Sequence, residues 1–154
     1  MKRLWLLLVV ITMTGLGCVT GGVYRPADKV AALEVAFADP AWNGQKVPDG
    51  QQCRRFGGQG ATPGLIVRNI PAGANAVILE FSDKNVAKMD HGCHGRIGYL
   101  IPPGTTEVAL PPVPGHTFEL PQGFFLVQAH CAPSWDKAGA YLPPARAAGA
   151  TSTP

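Results

Sequence analysis

Proline and glycine punctuate this chain, and that punctuation limits what it can fold into. Fifteen prolines and 19 glycines are spread over 154 residues, and they cut most apolar runs before helical length is reached. Proline removes an amide donor and clashes with the preceding helical turn, while glycine loses the most backbone entropy on ordering. Long helical bundles are therefore excluded, and short strands joined by turns remain. Leu65–Ile70, Ala76–Phe81, Arg96–Ile101, Glu107–Leu110 and Phe124–His130 fit best, each bounded by Pro, Gly, Asn or Asp. Their spacing predicts an all-β fold, an antiparallel β-sandwich, with one ring of Phe124-Phe125 inside and the other outside. One segment stays open. Asp28 to Phe37 places Val30, Leu33 and Phe37 on one helical face, yet Leu33-Glu34-Val35-Ala36-Phe37 alternates like a strand.

The start of the chain reads as an export address. Lys2-Arg3 precedes an apolar run from Leu4 to Met13, too short to span a bilayer comfortably, and small residues follow up to Cys18. Gly17-Cys18 resembles a lipoprotein cleavage site, which predicts lipidation of Cys18 and a periplasmic, membrane-anchored protein. Gly15 and Gly17 also fit ordinary signal cleavage. The expected organisation is a signal peptide over 1–17, a linker over 18–32, one domain over 33–144 and a disordered tail over 145–154. Without residues 1–17 the chain keeps eleven basic and ten acidic residues, and no Lys/Arg stripe offers a footprint for nucleic acid.

Functional side chains fall in the gaps between strands, where a polar group reaches solvent while the sheet holds its backbone. Asp83, His91 and His94 lie there. An imidazole donates to a phosphate oxygen, and a nearby carboxylate fixes its tautomer, so Asp83 is expected to orient and His94 to donate. Met89, His91, Cys93 and His94, with His130-Cys131, supply an alternative: soft and imidazole ligands for copper or zinc. That cluster lacks zinc-finger spacing, and in an oxidising compartment cysteines pair first; Cys93–Cys131 is the preferred disulfide, with Cys53 left over if Cys18 is acylated. Cys93-His94 does not read as a nucleophile and base, because catalytic pairs are seldom chain neighbours. Gly57-Gly58-Gln59-Gly60 leads into a proline turn rather than the helix a phosphate loop needs. Trp42 and Trp135 read as core or rim packing.

The order of motifs carries a resemblance. Asn43-Gly44-Gln45-Lys46-Val47-Pro48, Cys53, Gly60-Ala61-Thr62-Pro63-Gly64-Leu65, Asn69-Ile70-Pro71-Ala72-Gly73-Ala74 and a strand ending in Asp83 follow one another. His91 to Pro102 and Ala140-Tyr141-Leu142-Pro143-Pro144 come after them. The series resembles the phosphatidylethanolamine-binding protein family, particularly its bacterial Raf-kinase-inhibitor-like members, over roughly residues 33 to 144. The resemblance implies a β-sandwich with a small anion pocket at one end, taking a phosphate or phospholipid head group without catalysis or cofactor. Carried over by position, the ligand-binding residues are Asp83, Asn85, His94, Tyr141, Pro143 and Pro144. The family's two-Asp loop appears as Asp83-Lys84-Asn85-Val86-Ala87, with one carboxylate and both prolines gone. Its final core strand has no counterpart after Pro144, which implies a sandwich lacking C-terminal strand(s), an open sheet edge and a route to homodimers. A structural or partner-binding domain with a vestigial pocket is the third reading.

Overall fold

The computed structural model describes residues 32–134 and 137–145. The expected signal peptide, Cys18, most of the linker, Trp135 and the tail beyond Ala145 lie outside the described residues. Six strands form: β1 (Glu34–Phe37), β2 (Leu65–Arg68), β3 (Ala76–Phe81), β4 (Gly95–Leu100), β5 (Glu107–Leu110) and β6 (Phe124–Gln128). Two three-residue 3₁₀ turns, Arg54–Phe56 and Ala87–Met89, are the only helical elements among the described residues. The strands make two antiparallel sheets, ordered β1-β2-β5 and β3-β4-β6. The chain is all-β.

Alternation explains which faces meet. Leu65 and Val67 of β2, Leu110 of β5 and Val77 of β3 are buried together with Ile70 and Ile101, so side chains from both sheets share one core. A second cluster of Ile97, Val113, Ala140 and Tyr141 continues it toward the end where β3 finishes and β4 begins. Phe124 packs against both clusters and meets Tyr99 edge to face at 4.7 Å. Phe125, on the other side of the strand, lies over Gly98, where a β-carbon would run into its ring.

The open segment before Ala38 resolves as strand over its described part. Glu34 to Phe37 pairs with Arg68 to Leu65, and the outward Arg68 bridges Glu34 at 3.3 Å and Glu107 at 2.7 Å across three strands. Hydrogen bonding to β2 and this ladder decide what periodicity left undecided. Val35 and Phe37 lie beside the buried Val67 and Leu65 and so face inward, yet they remain 56% and 40% exposed. The second sheet does not cover them.

Beyond the strands, the segment Gly139–Pro144 threads through the interior in extended form. Ala140 N–H donates to Thr117, His116 N–H to Tyr141, Leu142 N–H to His94 and Cys53 N–H to Pro144, all between 2.9 and 3.0 Å. Its residues Gly139 to Pro143 are buried. Outside any assigned strand, the segment still pairs its backbone groups as a strand would.

Ile97, fully buried within the second cluster, tests the core. Ile97→Ala is expected to cost about 2–5 kcal/mol, read from urea denaturation, because the cavity it leaves is walled by strands that cannot collapse.

Candidate functional site

The candidate site begins with three local structures. Asp39 and Asn43 build the first: Ala41 N–H donates to Asp39 Oδ1, and the amides of Gln45 and Lys46 donate to Asn43 Oδ1. These side-chain turns hold Trp42 against Phe37, with ring centroids 6.2 Å apart. The second is the loop after β3, where Asp83 Oδ1 accepts the Asn85 amide at 2.8 Å and Lys84 pairs with Asp90 at 2.6 Å. The Lys84 ammonium, followed by the His91 amide, holds the Asp90 carboxyl below its ordinary range. The third is the turn Asp90–His94 that leads into β4. His91, Gly92 and Gly95 adopt φ of 54°, 77° and 122°.

These structures and the threaded segment enclose an open cleft of about 500 Å³. Phe37, Trp42, Val47 and Pro63 give it an apolar wall; Lys46, Asp83, Lys84, Asn85, His94 and Tyr141 bring polar groups, with Pro144 at the edge. Five of the six residues carried over from the motif order therefore meet: Asp83, Asn85, His94, Tyr141 and Pro144. Pro143 does not. Fully buried, it packs where β-carbons at Gly60 or Gly115 would have to go, and so forms the floor behind the cleft rather than its rim.

The roles inside the cleft differ from the expected ones. His94 Nδ1 lies 2.7 Å from the carbonyl oxygen of Leu142. A carbonyl only accepts, so Nδ1 carries the proton, and it is Leu142 rather than Asp83 that fixes the tautomer. With Nδ1 donating to Leu142, Nε2 is the ring nitrogen left for a cleft partner: a lone pair on the neutral ring, a donor on the imidazolium. Asp83 makes no hydrogen bond to His94; its carboxylate serves the Asn85 turn. Tyr141 is 4% exposed, its ring tilted against Phe81 at 4.8 Å. Burial pushes its phenol far above the usual tyrosine range, so it stays neutral, and its hydroxyl has no hydrogen-bond partner among the described residues. Lys46 makes no ion pair among them either, whereas Glu80 is engaged by Arg96 at 2.8 Å.

The alternative ligand cluster is not assembled. Cys93 and Cys131 are joined in a disulfide, which removes both thiolates. His130 is buried, accepts the Ala132 amide on Nδ1 and donates from Nε2 to the Lys137 carbonyl, so neither nitrogen is open to a metal. The His91 side chain is 83% exposed and meets only Asp90, at 3.8 Å. No group of three or more His, Cys, Asp or Glu among the described residues is placed to hold a metal ion.

Sequence reasoning missed Phe37, Trp42 and Lys46 as cleft residues. The Asp39 and Asn43 turns were the available signal, since each fixes a loop where an aromatic follows or precedes. No protein-family model, curated protein or solved structure matches this chain.

Gly95 is held by both its φ and its neighbours, for a β-carbon there would strike the Ala140 carbonyl. Gly95→Ala is expected to push the threaded segment away and speed hydrogen exchange at the Leu142 amide, while leaving exchange in β2 and β5 unchanged. For Asp90, whose folded carboxyl titrates lower than its unfolded one, the Lys84 pair is present above the ordinary carboxylate range and lost only as pH falls through the lowered value. Carboxyl carbon shifts followed by NMR through acid should show Asp90 titrating below a free aspartate.

Proposed function

We propose that this chain is a non-catalytic binding protein of the cell envelope whose cleft takes a phosphate or a phosphorylated head group. The observation that carries the reading is the meeting at one cleft of Tyr141, whose hydroxyl makes no protein hydrogen bond, His94, whose Nδ1 is taken by Leu142, and Lys46, which makes no ion pair among the described residues. A phosphate oxygen satisfies the phenol, and a protonated imidazole and an ammonium balance its charge. Asp83 offers an acceptor to the ammonium of a head group and Asn85 an acceptor and donors to its hydroxyl, while Phe37 and Trp42 give its apolar remainder a surface. The order of motifs shared with phosphatidylethanolamine-binding proteins supports the same assignment.

Binding rather than turnover is favoured by what surrounds the imidazole. Ser82, the hydroxyl at the cleft, donates to Glu80 and accepts the Gly92 amide, so it is not poised as a nucleophile. Export and lipidation at Cys18 belong to the same reading and place the cleft outside the cytoplasm, where the Cys93–Cys131 pair is stable.

Calorimetric titration with inorganic phosphate, phosphoethanolamine and a lysophospholipid separates the free ion from the head group and the lipid. His94→Gln should weaken binding about 10- to 100-fold, as loss of a charged hydrogen bond does, and Tyr141→Phe about 2- to 10-fold. Unchanged affinity in both variants rules the reading out.

A further inference from the structure

We propose that the Cys93–Cys131 disulfide is a redox clamp on this cleft: closed, it holds His94 in register with Leu142 and Tyr141, and opened by a dithiol it lowers anion affinity. The inference rests on the binding reading above and adds its regulation.

The clamp acts on a turn otherwise held by non-covalent bonds alone, among them the Lys84–Asp90 pair and the two bonds between His94 and Leu142. Asp90 to His94 has His91 and Gly92 in the left-handed region, and His91, a non-glycine residue there, is exposed, so no packing enforces its backbone. On the β3 side the turn is held by Gly92 N–H to Ser82 Oγ at 2.8 Å and His94 N–H to the Phe81 carbonyl at 3.0 Å. Arg96 adds a bond to the His91 carbonyl at 2.8 Å. Toward the chain beyond β6 the ties are the disulfide itself, the Cys131 amide to the Cys93 carbonyl at 2.9 Å and a long contact from Gln128 to Gly92 at 3.5 Å. The covalent bond thus fixes the residue immediately before His94. Without it, the left-handed turn keeps only its hydrogen bonds, and the register of His94 against Leu142 loosens.

Reagent access is in place. Cys131 is exposed and Cys93 half-buried, at the surface rather than in the core. A thiolate of a small or protein dithiol attacks one sulfur of the pair, the Sγ–Sγ bond breaks, and the other cysteine leaves as a thiolate and is protonated. The second thiol of the reagent then displaces the bound cysteine. The dithiol becomes a disulfide, and two electrons and two protons pass to Cys93 and Cys131. The core clusters do not contain either cysteine, so opening the bond loosens the turn rather than the sandwich. Chain in a reducing compartment would bind poorly, and oxidation after export would switch binding on.

The test uses the full chain, oxidised and after dithiothreitol, with thiol titration to count the opened pair. Reduction is expected to speed amide exchange at His94 and Cys131 and to weaken inorganic phosphate binding tenfold or more, with the far-ultraviolet dichroism unchanged. Cys93→Ser/Cys131→Ser should bind at the reduced level and ignore dithiothreitol. Equal phosphate affinity in both states, or loss of the β signal on reduction, overturns the proposal, the latter because the bond would then be a general staple. If the oxidised chain takes up no phosphate although exchange still responds to reduction, the binding reading fails and the regulation proposed for it falls with it, while the mobile turn stands. Exchange that ignores reduction overturns the clamp whatever the chain binds.

Discussion

The reciprocal bonding of His94 and Leu142 turns the end of a sandwich into a site. The Leu142 amide donates to the His94 carbonyl, and the His94 ring returns the bond to the Leu142 carbonyl, across 48 residues of sequence. One link sets the path of the threaded segment, and the other sets which ring nitrogen carries the proton. Tyr141 lies between these anchors and the bond from His116, so its ring has no freedom to leave Phe81. Geometry of this kind positions a polar group more firmly than a loop side chain could by itself.

Much of the fold could be read from residues. Ala76–Phe81 and Glu107–Leu110 form over the residues that Asn, Pro and Gly delimit, and Leu65–Arg68, Gly95–Leu100 and Phe124–Gln128 differ from expectation only at their ends. The ends shift because pairing partners, not turn residues, decide where a strand stops: β6 is irregular opposite Arg96 and Ile97 and is lost before His130. The convergence of Asp83, Asn85, His94, Tyr141 and Pro144 was legible only as an order of motifs. Their chemistry was not. A carbonyl belonging to Leu142 holds the imidazole, and no property of leucine in a sequence announces a backbone acceptor. Pro143 and Pro144 look alike in one dimension, yet the extended backbone sends one into the interior and the other toward the cleft.

The apolar side of the cleft has its origin in the sheets. Both have three strands, and β1 carries the inward residues Val35 and Phe37 at an edge where nothing from β3-β4-β6 lies over them. Phe37 recovers part of its lost contact by stacking on Trp42, which the Asp39 and Asn43 turns hold in place. An overhang of one sheet past the other thus leaves the cleft open beside His94, with the aromatic pair along its wall.

The threaded segment also sets a timetable. His94, His116 and Cys53 all wait for partners between Tyr141 and Pro144, so the bonds that close the cleft join residues made early in synthesis to residues made late. Contacts of such long sequence separation form slowly, since the loop entropy is spent before any bond rewards it. A nascent chain that has emerged only as far as β6 has the residues of all six strands but not of the completed cleft, and it lacks the Gly139 to Pro143 segment that fills the interior. Closure of the cleft is therefore the last step this polypeptide completes as it leaves the ribosome, and anything that holds the chain unfolded delays it.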